Sequence, residues 1–183
     1  MKKAFADTLS WQGNYKEAIR IYLEVYGATK DYQVLKDLAR VYLWDKQFKK
    51  SREILETLLV KYPKDIDLRL FYAEVLLYSR DFTAAEDVIR DIIKNSPDNI
   101  KARIYLGDLL SYYGHYPQAM EIYNQIILLH NDPVAREKLA GVLSWDRQYD
   151  ESIKAYDRLL EQKEDFSIRR QKARVLGWAK RYR

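Results

Sequence analysis

The stretch that decides the fold is residues 106–123, which read LGDLLSYYGHYPQAMEIY. Gly114 and His115 mark a turn between two segments with the apolar spacing of a helix. Gly107 lies on the first segment and Ala119 on the second, and small residues at such places let two helices approach closely. The bulkier Tyr123 can then interlock with the facing helix. The stretch predicts two helices packed as a hairpin.

The same pattern recurs along the whole chain at intervals of 33 or 34 residues. The aromatic residue at the turn recurs at Tyr15, Phe48, Phe82, Tyr116, Tyr149 and Tyr182. Nine residues before each aromatic stands a small residue, at Ala6, Ala39, Ala73, Gly107, Ala140 and Ala173. Three residues after the first five aromatics stands another small residue, at Ala18, Ser51, Ala85, Ala119 and Ser152. A period of this length indicates a helical repeat array.

This pattern resembles that of the tetratricopeptide repeat family, and the resemblance covers essentially the whole chain. It implies an all-α fold, a right-handed α-solenoid of tetratricopeptide helix-turn-helix repeats with about five and a half copies. The register gives one repeat domain over residues 1–183. Its repeats span residues 1–31, 32–65, 66–99, 100–132 and 133–165, with a half repeat at 166–183.

The helices predicted from this register have bounds that follow the turn aromatics. They are 3–12, 15–28, 32–45, 48–61, 66–79, 82–95, 100–113, 116–130, 133–146, 149–162 and 166–180. The chain begins inside a first helix and stops at a turn aromatic, without the polar capping helices of a solenoid end. We therefore expect it to be a fragment of a longer array.

Composition excludes several classes of function. The chain has no cysteine, so disulfides, thiolate metal sites and cysteine nucleophiles are excluded. Its net charge of +5 comes from the last fifteen residues, which hold seven basic and no acidic side chains, so we expect no nucleic-acid partner. Only His115 and His130 are present, and no phosphate-binding glycine loop occurs. We predict no enzyme activity, no cofactor, no metal and no membrane span.

An aromatic column lies on the first helices, on the side away from the small residues when the helices are projected at about 100° per residue. It comprises Trp11, Trp44, Tyr78, Tyr112, Trp145 and Trp178, and includes every tryptophan. Phe71 and Tyr105 stand two turns before Tyr78 and Tyr112 on the same side. In the resembled family this side lines the groove where partners bind. These eight residues are therefore the candidate ligand or partner site.

Two interpretations of this column remain open from the sequence. Each aromatic can pack sideways on the first helix of the next repeat, which makes the column structural. Alternatively, the rings form a ladder that stacks sugars or grips an extended peptide, since aromatic side chains concentrate binding energy.

The segment Leu139-Ala140-Gly141-Val142-Leu143-Ser144-Trp145 narrows the resemblance. It is similar to the periplasmic repeats of bacterial exopolysaccharide-export proteins, the biofilm-associated cellulose, Pel and poly-N-acetylglucosamine systems. That likeness implies a periplasmic scaffold that recruits protein partners such as a polysaccharide-modifying enzyme. The alternatives are a groove that binds the saccharide polymer directly and a general cytoplasmic adaptor.

An arginine column near the start of the first helices replaces the large residue usual in the family. In three repeats an aspartate stands four residues earlier, and the pairs are Asp65 with Arg69, Asp132 with Arg136, and Asp165 with Arg169. This spacing predicts an ion pair within the first helical turn, with the arginine stem packed on the core. The alternative is that the arginines bind a ligand.

Overall fold

The computed structural model describes residues 2–182, and the side chains of residues 2–180. Within this range it contains eleven α-helices and no strand, which confirms the all-α prediction. The helices are α1 Lys2–Trp11, α2 Tyr15–Thr29, α3 Tyr32–Trp44, α4 Phe48–Lys61, α5 Ile66–Tyr78, α6 Phe82–Asn95, α7 Ile100–Tyr112, α8 Tyr116–His130, α9 Pro133–Trp145, α10 Tyr149–Gln162 and α11 Phe166–Tyr182. Every predicted bound lies within one residue of the observed bound, except the end of α11.

An aspartate or asparagine cap begins the first helix of repeats two to five. Its side-chain oxygen accepts a hydrogen bond of 2.8–2.9 Å from the backbone N–H three residues later. Asp165 accepts comparable bonds at the start of α11. The caps of repeats two to five are Asp31, Asp65, Asn99 and Asp132. Such caps satisfy backbone donors that have no partner within the helix.

The ion pairs predicted within the first turn are wrong, because the aspartates act as caps instead. Arg69 reaches the second helix of its own hairpin and donates to Asp91. Arg103 makes the equivalent contact with Gln125, at 2.6 Å between Nη2 and Oε1. Arg169 pairs with Glu164 rather than Asp165.

A left-handed residue closes the turn inside each of the first five hairpins. Its φ lies between 59° and 80°, and the residues are Gly13, Lys46, Arg80, Gly114 and Arg147. The next N–H donates back to the carbonyl five residues earlier in the chain, as in the bonds from Asn14 to Leu9 and from His115 to Leu110. This arrangement ends the first helix and lets the chain reverse direction.

The two small columns lie at the helix contacts of each hairpin. Ala18, Ser51, Ala85, Ala119 and Ser152 have no exposed surface. Where the second-helix residue is serine, its hydroxyl donates to the carbonyl of the facing alanine: Ser51 to Ala39 at 2.8 Å and Ser152 to Ala140 at 2.7 Å. The first-helix column is buried from Ala6 to Ala140, whereas Ala173 of α11 is exposed.

The chain divides into two compact units, unit 1 at Met1–Ile92 and unit 2 at Ile93–Arg183. A core of unit 1 is built around Tyr22, Leu38, Leu55 and Leu68. In unit 2 the buried Tyr123 and Tyr156 belong to separate clusters. The boundary falls inside α6 rather than in a linker, and the prediction of one repeat domain over residues 1–183 stays a prediction. The side chain of the turn aromatic Tyr182 lies outside the described residues.

Candidate functional site

The aromatic column of unit 1 presents its rings to solvent. Trp11 is 77% exposed, Trp44 41% and Tyr78 62%. A cavity of about 280 Å³ lies between Trp11 and Trp44, and another of about 250 Å³ lies between Trp44 and Tyr78. Trp44 also contacts the turn aromatic Tyr15, with ring centroids 6.4 Å apart. Its ring therefore packs partly on a neighbouring repeat and still borders two cavities.

Phe71 does not belong to this exposed column, so its placement in the groove is wrong. It is only 1% exposed and is part of the core of unit 1. The guanidinium of Arg40 lies 3.8 Å from the centroid of its ring and covers it. Arg40 is held there by Glu74, with Nη1 and Oε2 3.4 Å apart.

Unit 2 has first-helix aromatics of its own, with more varied exposure. Tyr112 is 57% exposed and Trp145 53%. Tyr105 is half-buried, and the ammonium of Lys101 lies 5.5 Å from its ring centroid. Trp178 is half-buried against the cluster that contains Tyr156 and Val175. Trp178 therefore has a packing role, whereas Tyr112 and Trp145 expose ring surface to solvent.

Polar side chains join successive first helices within each unit. In unit 1, Lys3 pairs with Asp37 at 2.7 Å and Arg40 with Glu74. The corresponding links of unit 2 are Lys138 to Asp108 at 2.7 Å and Gln171 to Glu137 at 2.7 Å. The repeat pattern alone did not predict these links. Their signal is a polar residue one position after, or two or three before, the small residue of the first helix.

Buried tyrosines of the second helices connect the core to these polar links. The hydroxyl of Tyr123 donates to Asp108 at 2.8 Å, and that of Tyr22 donates to Asp7. Burial, with these carboxylates, raises the pKa of both phenols. Tyr156 has Gly141 at the equivalent position and donates instead to Gln171 of α11 at 2.9 Å. Burial and then the charge of Glu137 raise the pKa of Tyr156 to about 12.

The first-helix faces of the two units carry the kinds of side chain that bind a partner. Exposed rings alternate with charged groups that already have partners. Among residues 2–182, no group of three or more histidine and carboxylate side chains could hold a metal ion. None of the described helices is long and apolar enough to cross a bilayer. The absence of enzyme activity, cofactor and metal stays a prediction.

A model of the family described as "Tetratricopeptide repeat" matches residues 11–75 and 76–140. The chain belongs to the tetratricopeptide repeat family. A comparison with curated proteins finds no match. This family membership confirms the repeat fold and its period. The likeness to exopolysaccharide-export repeats is not shown by any of these comparisons.

Solved structures share the tetratricopeptide fold over nearly the whole chain. TTC0263, a thermophilic protein of Thermus thermophilus, is 20% identical, with a TM-score of 0.80 over 96% of this chain and 97% of that one. A repeat protein from Parabacteroides merdae is 16% identical, with a TM-score of 0.86 over 98% and 72%. YrrB, described as having an unusual peptide-binding site, is 15% identical, with a TM-score of 0.60 over 98% and 90%.

Tetratricopeptide repeats generally act as protein-interaction scaffolds, and their fold is typically non-catalytic. In such proteins, stacked repeats create an extended binding surface. The described face of each unit has the rings and charges that such a surface needs.

Proposed function

We propose that this tetratricopeptide repeat protein is a scaffold that recruits a protein partner through the first-helix faces of its two units. The observation that carries this proposal is the exposed aromatic column, above all Trp11, Trp44 and Tyr78 of unit 1. Large rings held on rigid helices lose little conformational freedom on binding, and aromatic residues dominate the energetics of protein interfaces. Leaving them in water has no benefit for folding.

The surroundings of Trp44 favour a protein partner over a sugar chain. The two cavities beside its ring are each large enough for one apolar anchor side chain. The nearby charges of Lys3, Asp37 and Glu74 are already paired, so a partner meets a rim of satisfied polar groups around an apolar centre. Protein interfaces commonly have this arrangement.

Site-specific crosslinking tests the proposal in the cells that make the protein. A photoreactive phenylalanine analogue is placed at Tyr78 and, as the matched control, at Val60 of α4, which is 84% exposed on a second helix. We expect a discrete crosslinked protein from position 78 and none of that species from position 60. Equal crosslinking at both positions, or no crosslinked protein from position 78, would refute a specific first-helix site.

Direct binding of saccharide is the second candidate, because the exposed rings recur once per repeat. Single alanine substitutions of Trp44, Tyr78, Tyr112 and Trp145 separate the two functions. A saccharide ladder predicts similar small losses of affinity for cello- or N-acetylglucosamine oligosaccharides at all four, since each stacked ring contributes modestly. A recruiting scaffold predicts one or two dominant losses of protein binding. Large losses of thermal stability at all four, with no binding effect, would show that the column is structural.

The narrower proposal is that this scaffold serves bacterial exopolysaccharide secretion from the periplasm and recruits a polysaccharide-modifying enzyme. It is supported by the Leu139–Trp145 segment alone, which ends on the exposed Trp145. Cell fractionation provides the test, and we expect the protein among periplasmic contents. Recovery with the cytoplasmic fraction would favour the general adaptor.

A further inference from the structure

A trough lies on the second-helix side of unit 2, between α8 and α10 and above α9. It consists of two adjoining cavities, of about 810 Å³ and 380 Å³. Four residues line both cavities: Asn124, Leu139, Ala155 and Arg158. The shared lining makes the two cavities one continuous trough. It is separate from the aromatic column, which lies on the first-helix side.

The trough is open because α10 has a small residue where the other second helices have a branched one. Ala155 stands six residues after its turn aromatic. The same position in the other repeats holds Ile21, Ile54, Val88 and Ile122. Ile21 is buried, and Ile54 and Ile122 pack against the cores of their units. Leu139 and Leu143 of α9 are half-buried and form the apolar floor beneath Ala155.

Two arginines without an acidic partner border the smaller cavity. In the third and fourth hairpins, the first-helix arginine donates to a residue 22 positions later, Asp91 or Gln125. In the fifth hairpin the equivalent residues are Arg136 and Arg158, which carry like charges and cannot pair. Neither side chain has an ion pair or hydrogen bond to another residue in the described part of the chain. The remaining lining of this cavity contains no acid.

We propose that this trough is a second binding site, which takes a partner segment that carries an aspartate or glutamate beside an apolar side chain. The carboxylate lies between Arg136 and Arg158, because a guanidinium binds a carboxylate through two parallel hydrogen bonds. The side-chain amides of Asn124 and Gln162 line the same cavity and can donate to it. The apolar neighbour fills the space above Leu139 that Ala155 leaves open.

The ligand is an acidic side chain within a segment rather than a chain terminus. Arg158 lines both cavities, so the trough extends to either side of this cation. A segment that passes through can place a side chain there. Glu121, Glu151 and Lys154 line only the wider cavity. The two acids outnumber the lysine there, so a basic residue of the same segment would be favoured at that end.

The test uses two substitutions that copy residues from α8 and are therefore compatible with the fold. Ala155→Ile fills the trough with the side chain that Ile122 places at the equivalent position of its own repeat. Arg158→Gln gives Arg136 an amide partner, as Gln125 does for Arg103. Arg69→Gln is the matched control, because Arg69 belongs to the same column as Arg136 but lies in unit 1.

The probe is a random dodecapeptide library, selected on the protein with an excess of the Ala155→Ile variant as a soluble competitor. We expect the selected peptides to be enriched in Asp or Glu beside Leu, Ile, Met or Phe. Acetylated and amidated synthetic copies should bind the parent. Arg158→Gln should weaken binding on the order of tenfold, the usual loss for a charge-assisted contact. Ala155→Ile should weaken binding on the order of tenfold as well, because its side chain overpacks the space of the apolar neighbour. Arg69→Gln, and alanine at Tyr112 and Trp145, should leave the affinity unchanged.

Three outcomes would overturn this proposal. One is a selection that yields no binder or no enrichment of acidic residues. Another is unchanged affinity in both α10 variants, whose thermal stability is measured alongside. The last is binding only by peptides with a free C-terminus, which would exclude an internal acidic side chain. Because the first-helix column is intact in both variants, none of these outcomes bears on the proposed recruiting function.

Discussion

Gly107 and Gly141 occupy adjoining positions of the repeat, but neighbouring atoms leave no room for a side chain only at Gly107. A Cβ on Gly107 would lie 2.6 Å from Cζ of Tyr123, whose ring fills that space. A Cβ on Gly141 would meet only the hydroxyl of Tyr156 at an ordinary 3.6 Å. Both residues lie inside helices, where glycine is less favourable than alanine.

We therefore predict opposite effects of the same substitution at these positions. Gly107→Ala should destabilise by about 1–3 kcal/mol, the typical cost of overpacking. Gly141→Ala should stabilise by up to about 1 kcal/mol through helix propensity. Urea titrations of both variants provide the measurement. In the second repeat, Ala39 and Leu55 occupy the positions of Gly107 and Tyr123. Adding Tyr123→Leu to Gly107→Ala should therefore recover part of the lost stability. No recovery would mean that the loss does not come from the contact with the Tyr123 ring.

Tyr156 makes the free energy of unfolding depend on pH in the alkaline range. Its pKa of about 12 in the folded state exceeds the value of about 10 in an unfolded chain. Between these values the unfolded state loses the proton and the folded state keeps it, so stability is full below pH 10 and falls as the pH rises toward 12. The expected loss from this residue is on the order of 2 kcal/mol. Melting curves from pH 9 to pH 11.5 should decline less steeply for Tyr156→Phe; identical slopes would contradict the prediction.

Sequence could predict which residues meet inside a hairpin, but not what covers them from outside. The small columns and Tyr123 follow from spacing within one repeat. Phe71 shows the limit, because a helical projection places it on the side of Tyr78, two turns away. Its burial depends on Arg40 of the preceding repeat, and a projection of one helix contains no information about that side chain.

At the level of elements, the aspartate and asparagine caps set where the first helices begin. In the part of the chain that the structure describes, the carboxylate of Asp132 accepts only from the backbone N–H of Ala135. The carboxylate of Asp65 accepts from the backbone N–H of Leu68 and also from the hydroxyl of Tyr32, at 2.7 Å. Burial alone would raise the pKa of Asp65, but hydrogen bonds from Leu68 and Tyr32 lower it below its ordinary value. The ionised Asp65 therefore stabilises the folded state fully at pH values above the pKa that this carboxyl has in the unfolded chain. This contribution is lost as the pH falls through the lower pKa of Asp65 in the folded state.

We predict that Asp132→Ala costs about 1 kcal/mol and that Asp65→Ala costs more, because it also leaves the half-buried Tyr32 without its acceptor. Thermal melts at pH 7 measure both losses. Asp132→Asn is the control and should be close to neutral, since Asn99 caps α7 with the same geometry. Equal losses in all three variants would mean that the caps do not set these helix starts.

Helix bounds were predictable because each turn repeats the same local signals. Gly13 and Gly114 occupy left-handed positions, and turn aromatics follow all five turns. The role of the arginine column was not predictable from spacing, because Arg69 has acidic residues both four positions earlier and, in the facing helix, 22 positions later. The choice between them depends on capping, which engages Asp65 with Leu68.

For the whole molecule, the division into two units predicts that unit 1 folds by itself. A fragment of residues 1–95 contains α1 to α6 complete and stops before Pro97. We expect it to be helical and to unfold cooperatively, because repeats are stabilised by their neighbours alone. A fragment of residues 1–81 is the control, since it lacks the buried Ala85 and Ile89 of α6 and should melt at a lower temperature. Circular dichroism and calorimetry check both, and a non-cooperative melt of the longer fragment would contradict independence.

The polar links between successive first helices also determine how each unit responds to force. Lys3 with Asp37 and Arg40 with Glu74 are partly solvated pairs, so water can replace them at a cost of about 0–1 kcal/mol each. The hairpin contacts of the same helices are fully buried and resist separation. We therefore expect spreading of the first helices to be the softest deformation of unit 1, and we expect added salt to lower its stiffness by weakening these two pairs, while the buried core of the unit keeps most of that stiffness.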